Sequence, residues 1–226
     1  MDNVQDPGQK ETRIKGSNGC FMLTVWALCF LVSVAGFVAG GIFNEAIIAV
    51  GVIFFVIPFF FMGGFVVIAP NYAVVCQFCG KYVGTIRENG FWFINPYYTK
   101  QLVSLKINNF ETSRIKVNDA NGSPIEIAAV VVWRILDTYE ALYEIENYKD
   151  YLHIQAEAAL RQSTSLFPYE ASQEGEVALR SSPVEVGESL RTEIQARLDK
   201  AGIEIVEAKI THLAYSAEIA SAMLRK

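Results

Sequence analysis

The sequence has few of the residues on which catalysis and metal binding most often depend. Among its 226 residues there are only two histidines and four cysteines. No GxxxxGK[ST] or GxGxxG motif follows a strand-like run, so the usual phosphate-binding loops are absent. Ser163, Ser165, Ser181 and Ser182 have no histidine at a spacing that suggests a catalytic triad. The sequence therefore predicts neither an enzyme nor a cofactor.

An excess of positive charge is also missing. The formal net charge is −5, and acidic residues outnumber basic ones from Pro70 onward. A nucleic-acid partner requires a basic surface, so none is expected. Glu140, Glu144 and Glu146 form an acidic cluster, which is most simply explained as the solvated face of a helix.

Cys76 and Cys79 form a CxxC motif, which is typical of redox and zinc sites. In a strand over residues 72–79, however, the two side chains point to opposite faces. A zinc site needs further ligands, and His153 and His212 lie far along the chain. Both cysteines are therefore predicted to pack structurally, without a metal, and a reducing cytoplasm predicts no disulfide.

Apolar sequence, by contrast, is abundant. Hydrophobic residues make up 52% of the chain, and its mean hydropathy is +0.26. Phe21–Gly41 and Ala46–Ala69 contain no charged residue. Each is long enough to cross a hydrocarbon core of about 30 Å as a helix. The alternative of a cleaved signal peptide is disfavoured, because the first run exceeds a signal h-region and a second run follows at once.

The two runs are predicted to form a transmembrane helical hairpin whose turn lies at residues 42–45. The basic residues near the runs all lie on the side of the chain ends, and the turn has none. They are Lys10, Arg13, Lys15, Lys81 and Arg87. The positive-inside rule therefore places both ends in the cytoplasm, on the inner face of the cell (plasma) membrane. Gly36 and Gly40 form a GxxxG motif and are candidate helix contacts between subunits.

Beyond Pro70 the apolar pattern acquires a period of two. Alternation over residues 125–135 predicts a central strand with one fully buried face. Further strands are predicted at residues 72–79, 81–87, 102–108, 110–117 and 203–213.

A period near 3.6 predicts two helices in the same region. The first starts at Asp137 and ends before Pro168. The second begins with Ser182 as a capping residue and Pro183 in the first turn, and it ends at Gly202.

A further helix is predicted to start at Ser216. Its apolar residues Ile219, Met223 and Leu224 would be exposed on an isolated domain, so they are candidate contacts between subunits. The resulting organisation is a polar cytoplasmic tail (1–20), a transmembrane hairpin (21–69), an α+β domain with a mainly antiparallel sheet and packed helices (70–215), and the start of a C-terminal coiled-coil-like helix (216–226).

Three stretches, in this order, carry a resemblance to a known family: VVIAPNYAVVCQFCGKYVGTIRENGFWFINPY, GSPIEIAAVVVWRILDTYEALYEIENY and LRTEIQARLDKAGIEIVEAKITHL. They resemble the SPFH or band-7 family of stomatins, prohibitins and flotillins over about residues 65–226, as a bacterial-type member with a hairpin anchor. The resemblance implies an α+β domain, assembly into large rings or cages on membranes, and no catalytic residue pattern. In relatives a long charged coiled-coil helix usually follows the domain, and residues 216–226 are expected either to dock on a neighbour or to be the start of such a helix in a chain that continues beyond Lys226.

Two function classes follow from the resemblance. The first is a non-enzymatic scaffold that self-associates and organises membrane microdomains, with copies of itself and membrane lipids as partners. The alternative is a regulatory subunit that encloses a membrane enzyme, such as an ATP-dependent protease. A partner that co-purifies in fixed ratio would favour the second.

Overall fold

The computed structural model describes residues 10–43, 51–52, 55–56, 59–171 and 176–216. The chain divides into two compact units. The N-terminal unit comprises residues 11–104, and the C-terminal unit comprises residues 105–226 together with residues 1–10. Helices and antiparallel sheets occur together, which confirms the predicted α+β class.

The N-terminal unit contains two three-stranded antiparallel sheets. Their strand orders are β1–β5–β2 and β4–β3–β6. The elements are β1 (Ser17–Asn18), helix α1 (Gly19–Phe43), a 3-10 turn (Met62–Gly64), β2 (Phe65–Ile68), β3 (Tyr72–Phe78), β4 (Lys81–Ile86), β5 (Gly90–Phe93) and β6 (Thr99–Ser104).

The second predicted membrane span ends earlier than expected. The prediction extended it to Ala69, whereas Phe65–Ile68 is strand β2, paired with β5. Pro70 and Asn71 follow this strand and form a turn in which the Tyr72 N–H donates to the Ala69 carbonyl. Asn71 has a φ of 60°, which the third position of a type II turn requires. The apolar run therefore combines a helical part with a partly exposed strand, and composition alone does not separate them.

Only one complete apolar helix, α1, is seen among the described residues, rather than the two helices of the predicted hairpin. Residues 44–50, 53–54 and 57–58 of the predicted turn and second span lie outside the described part of the chain. The described residues 51–52, 55–56 and 59–61 are helical.

The C-terminal unit contains a four-stranded antiparallel sheet and two helices. The strand order is β10–β9–β7, with β8 also paired to β9. The elements are β7 (Asn108–Glu111), β8 (Ile115–Asn118), β9 (Pro124–Ile135), a π-helix (Glu140–Glu144), α2 (Tyr148–Leu166), α3 (Pro183–Leu198) and β10 (Ile203–Tyr215).

Two boundaries in this unit differ from the prediction. The strand expected at 110–117 is divided into β7 and β8, because the chain breaks its pairing with β9 between Glu111 and Ile115. The helix expected from Asp137 is divided as well. Ile145 is extended, and the Asn147 side chain accepts hydrogen bonds from the second and third residues that follow it, which starts α2 afresh.

The core of the C-terminal unit lies between the sheet and the helices. Helix α2 buries Leu152 and Leu160, and α3 buries Leu190 and Ile194. Ser182 precedes α3 as predicted, but its side chain forms no capping hydrogen bond, so Pro183 alone marks the start of this helix.

Candidate membrane-interface site

Helix α1 has the length and composition of a membrane-spanning segment. It contains 25 residues without a charged side chain. At 1.5 Å per residue it is about 37 Å long, more than the roughly 30 Å of a hydrocarbon core. Its 20-residue stretch Gly19–Val38 has a mean hydropathy of 2.3, and only 6% of the most apolar part is buried. Among the described residues, α1 alone meets both requirements, so it could serve as a membrane anchor.

The described part of the second apolar run packs against α1. The Ser33 hydroxyl donates a 3.0 Å hydrogen bond to the Gly51 carbonyl, and the Phe55 ring lies 6.1 Å from that of Phe30. A methyl group built on Gly51 would lie 3.4 Å from the carbonyl carbon of Gly36. Gly36 therefore contacts its own chain. Its predicted contact with another subunit, like that of Gly40, stays a prediction.

Phenylalanine rings cover one face of the β1–β5–β2 sheet. Phe65 pairs with Phe93, and Val67 pairs with Phe91, so these four side chains share a face. The Phe65 ring stacks on Phe91 at 5.5 Å and meets Phe93 edge-on at 5.1 Å. Val67 is 73% exposed. We call Phe65, Val67, Phe91 and Phe93 the aromatic face.

The opposite face of this sheet supports the core of the N-terminal unit. Val66 and Trp92, which alternate with the residues of the aromatic face, pack against a buried cluster. Its members are Ile68, Val74, Cys76, Ile86 and Ile94. The sheet therefore has apolar side chains on both faces, which is unusual for an antiparallel sheet with one face in water.

The aromatic face meets the start of α1 at an apolar cavity of about 180 Å³. Helix α1 contributes Met22, Val25, Trp26 and Cys29, and the opposite wall is formed by Phe61, Phe65 and Phe93. A helix able to cross a membrane thus continues directly into an apolar sheet surface. Phe61 and Val67 are exposed beside the half-buried rings of the aromatic face, and contiguous exposed apolar side chains on a protein surface mark contact sites for lipid or protein.

The segment before α1 is folded against strands that follow the second apolar run. Thr85 and the segment form two backbone hydrogen bonds, Ile14 N–H to Thr85 O at 3.1 Å and Thr85 N–H to Thr12 O at 2.8 Å. Beside them, Arg87 Nε and Nη2 donate to the two carboxylate oxygens of Glu11, each at 2.5 Å. We call residues 11–18 the docked segment, since Ser17 and Asn18 also pair with β5.

A close approach at Gly84 allows this docking. A Cβ atom at Gly84 would lie 2.6 Å from Cγ2 of Ile14 and 2.8 Å from the Thr12 carbonyl oxygen. Only glycine leaves room for the docked segment over β4. The Glu11 side chain is only 8% exposed and that of Arg87 24% exposed, so their ion pair is shielded from water.

Lys100 lies near the same sheet and is partly buried. Its ammonium donates to the Gly63 carbonyl, in the 3-10 turn that leads into β2. Burial lowers the pKa of Lys100, and the nearby Cys76 opposes that shift. The lysine thereby ties β6 to the start of the aromatic face.

The two cysteines of the CxxC motif have different environments. Cys76 lies in β3 and is fully buried, as packing predicts. Cys79 is exposed, and the prediction of a packed side chain is wrong for it. The strand ends at Phe78, and Cys79 and Gly80 have φ values of 48° and 81°, so they form the two-residue turn of a β3–β4 hairpin.

The other residues considered for chemistry are dispersed in the described chain. The His153 ring lies tilted against that of Phe110, with the ring centroids 3.9 Å apart, and Ser163 is buried in α2. Within the described residues, no group of three or more His, Cys, Asp or Glu side chains could hold a metal ion. Ile219, Met223 and Leu224 lie outside the described residues, so their predicted role in subunit contacts stays a prediction.

Sequence reasoning missed the docked segment and the aromatic face. The segment was assigned to a polar tail, because a short run of mixed polar residues resembles a linker. The available signal for two paired strands was the short apolar run of β2 together with the aromatic run Phe91–Phe93 of β5. No local pattern, however, pairs Glu11 with Arg87.

Comparison with known proteins confirms the family resemblance. The model of the SPFH domain / Band 7 family matches residues 66–226. The match begins within β2 and extends through β10. A search of curated proteins found no match.

Proposed function

Because the chain belongs to the SPFH domain / Band 7 family, we propose that it is a non-enzymatic membrane scaffold. In this function a two-helix hairpin anchors the protein, copies of the chain associate into rings or cages, and the assembly organises the surrounding lipids and proteins. Its partners are further copies of itself and membrane lipids.

The docked segment is the observation that carries the proposal. Residues 11–18 precede α1, yet they pair with β4 and β5, which follow the second apolar run. A chain that crossed a bilayer once would leave these parts on opposite sides. Their pairing supports an anchor that enters and leaves the membrane on one side. The basic residues on that side favour the cytoplasm.

The aromatic face supports a position of the N-terminal unit at the membrane surface. Elements that lie in the plane of a membrane bury apolar side chains such as Phe, Trp and Leu at the boundary between headgroups and acyl chains. Here the packed rings of Phe65, Phe91 and Phe93 adjoin the start of α1, where such a boundary would lie. An anchor confined to a plane also raises the effective concentration of neighbouring copies, which promotes assembly through weak contacts.

Electron microscopy of the full chain, extracted in mild detergent, tests the scaffold function. We expect closed rings or cages, and a uniformly monomeric protein would contradict the proposal. A membrane protease that co-purifies in fixed ratio would instead support the regulatory function.

The topology is tested separately with single cysteines in a cysteine-free background. A cysteine at Asn44 is expected to react with an impermeant reagent on intact cells, whereas one at Asn118 is expected to react only after lysis. Labelling of the cysteine that replaces Asn118, without labelling of the one that replaces Asn44, on intact cells would overturn the cytoplasmic orientation.

A further inference from the structure

An open groove of about 590 Å³ lies where the π-helix ends and α2 begins. Ile145, Tyr151 and Ile154 supply apolar side chains to it. Ile154 is 64% exposed although it is aliphatic. Glu144 and Glu146 lie on one rim and are exposed, and Lys200 also lines the groove. We call this feature the α2 groove.

The local fold holds the groove open. Asp137 Oδ1 accepts hydrogen bonds from the backbone N–H groups of Tyr139 and Glu140, which fixes the start of the π-helix. Ile145 is then extended, with φ −127° and ψ 127°, so the chain turns away before Asn147 caps α2. The gap between the two helical segments is therefore built into the backbone.

Negative charge at the groove is incompletely neutralised. In the part of the chain that the structure describes, neither Glu144 nor Glu146 forms an ion pair. Glu140 precedes the groove and does not line it. Its pKa is raised by burial and then by the carboxylates of Asp137 and Glu144, against the opposing charge of Lys10 and a backbone hydrogen bond from Gly202. A ligand that places positive charge beside Glu144 and Glu146 would relieve the repulsion.

Residues 217–226 have the complementary chemistry. The sequence AEIASAMLRK combines apolar Ile219, Met223 and Leu224 with one acidic residue near its start, Glu218, and the adjacent basic pair Arg225 and Lys226 at its end. In a helix Ile219 and Met223 are four residues apart and share a face. An apolar stripe followed by two positive charges matches an apolar groove with an acidic rim.

The groove of the same subunit is too far away for this segment. Strand β10 starts at Ile203, which pairs with Ile135, and ends at Tyr215, which pairs with Ile125 at the other end of β9. Twelve steps of about 3.3 Å separate the two ends of β10 by about 40 Å. Lys200 and the groove lie near its start, whereas residues 217–226 follow its end. A helix of ten residues is only about 15 Å long.

We propose that residues 217–226 of one subunit bind in the α2 groove of the neighbouring subunit. The apolar stripe packs on Tyr151 and Ile154, and Arg225 and Lys226 face the acidic rim. This inference rests on the proposed self-association and identifies its contact. Because donor and acceptor lie at opposite ends of the sheet, the interface is head-to-tail, and repetition with a suitable rotation closes a ring.

Disulfide cross-linking of two differently tagged full-length chains in detergent tests the contact. One chain carries Ile154→Cys and the other Met223→Cys, both in a background without the four native cysteines. We expect a cross-linked heterodimer within the assemblies. Leu166→Cys replaces Ile154→Cys in the control, because Leu166 lies on the same helix and is 65% exposed but does not line the groove. We expect no cross-link from it.

Substitutions at the two surfaces provide the second test. Ile154→Asp should weaken the association of the subunits at least about tenfold and so lower the assembled fraction, since a charge placed in an apolar contact costs at least the roughly 1.4 kcal/mol that a tenfold change represents. Leu166→Asp should leave the fraction unchanged. Glu144→Lys with Glu146→Lys should disrupt assembly, and adding Arg225→Glu with Lys226→Glu should restore it.

The outcomes separate this inference from the scaffold function. If the wild type assembles, and Ile154→Asp assembles equally without any Ile154–Met223 cross-link, the groove contact is overturned and the scaffold function stands. A monomeric wild type overturns both. Cross-linking of Ile154→Cys to Met223→Cys within a single, doubly substituted monomer would overturn the exchange between subunits.

Discussion

Glu11, which precedes the first apolar helix, forms a bidentate ion pair with Arg87, which follows the second apolar run. The two residues are 76 positions apart, and the membrane anchor lies between them. This contact connects the two ends of the anchor in one folded unit.

Glu11→Gln should release the docked segment. Removing one charge of a shielded pair leaves the other charge uncompensated. Where both partners are buried, this lowers the free energy of unfolding by about 3 kcal/mol. The loss is smaller here, because Arg87 is partly exposed. Tryptic cleavage at Arg13 and Lys15 in detergent-solubilised protein should become faster. Glu88→Gln is the control, because its ion pair with Lys15 is exposed and worth about 1 kcal/mol or less. Equal cleavage rates in the two variants would contradict the role of the Glu11 pair.

Gly84→Ala should displace the same segment by a different route. The added methyl group would overlap Ile14 and the Thr12 carbonyl, and the backbone atom cannot rotate away. We expect faster cleavage of the docked segment and a lower melting temperature. Gly63→Ala is the matched control, since the nearest atom to its added methyl group is 3.8 Å away on Pro96. An unchanged digestion pattern for Gly84→Ala would show that the segment does not require this approach.

Cys76 should make stability dependent on pH in the alkaline range. Burial raises the pKa of its thiol above the ordinary value of 9.0, although Lys100 acts in the opposite direction. Because the folded state favours the neutral thiol, this stabilisation is fully present below 9.0 and is lost as the pH rises from 9.0 through the raised pKa of the folded state. Wild-type protein should therefore lose more stability than Cys76→Ala as the pH rises above 9.0.

Cys79→Ala serves as the control for this pH dependence, because Cys79 is exposed in a turn. Thermal melts of the three proteins give the comparison, and parallel curves for wild type and Cys76→Ala would refute the effect. A thiol reagent should also modify Cys79 in the folded protein and leave Cys76 unmodified. Stoichiometric zinc in purified wild-type protein, lost when Cys76 and Cys79 are both changed to Ala, would overturn the structural interpretation of both cysteines.

Asp119 should be essential for the turn between β8 and β9. Its Oδ1 accepts hydrogen bonds from the N–H groups of Asn121 and Ser123, and its Oδ2 accepts one from Tyr169 N–H. Asp119→Asn must direct an NH₂ group at one of these donors, which costs about 1–3 kcal/mol for a buried group. Asn121→Ala changes an exposed side chain in the same turn and should have little effect. Melting temperatures that fall equally would rule out a special role for Asp119.

The strands and helices of the C-terminal unit were predictable where the apolar period was regular. The alternation over residues 125–135 and the spacing of Val186, Leu190 and Ile194 correspond to β9 and α3. The π-helix was not predictable, because Asp137, Tyr139 and Glu140 are also compatible with an ordinary helix start. The split that opens the α2 groove depends on where Asn147 starts the next helix.

The sequence by itself determined the α+β class, the uncharged run of α1, the hairpin of β3 and β4 and the membership of the SPFH domain / Band 7 family, because each depends on local periodicity, composition or turn chemistry. Only the tertiary structure decided that Phe65–Ile68 is a strand and that Glu11 meets Arg87. An apolar run is compatible with either a bilayer or a folded domain. For residues 65–68, the pairing with β5 places the run in the folded domain. Contacts between residues far apart in the chain depend on closing the intervening loop, and no local pattern encodes that closure.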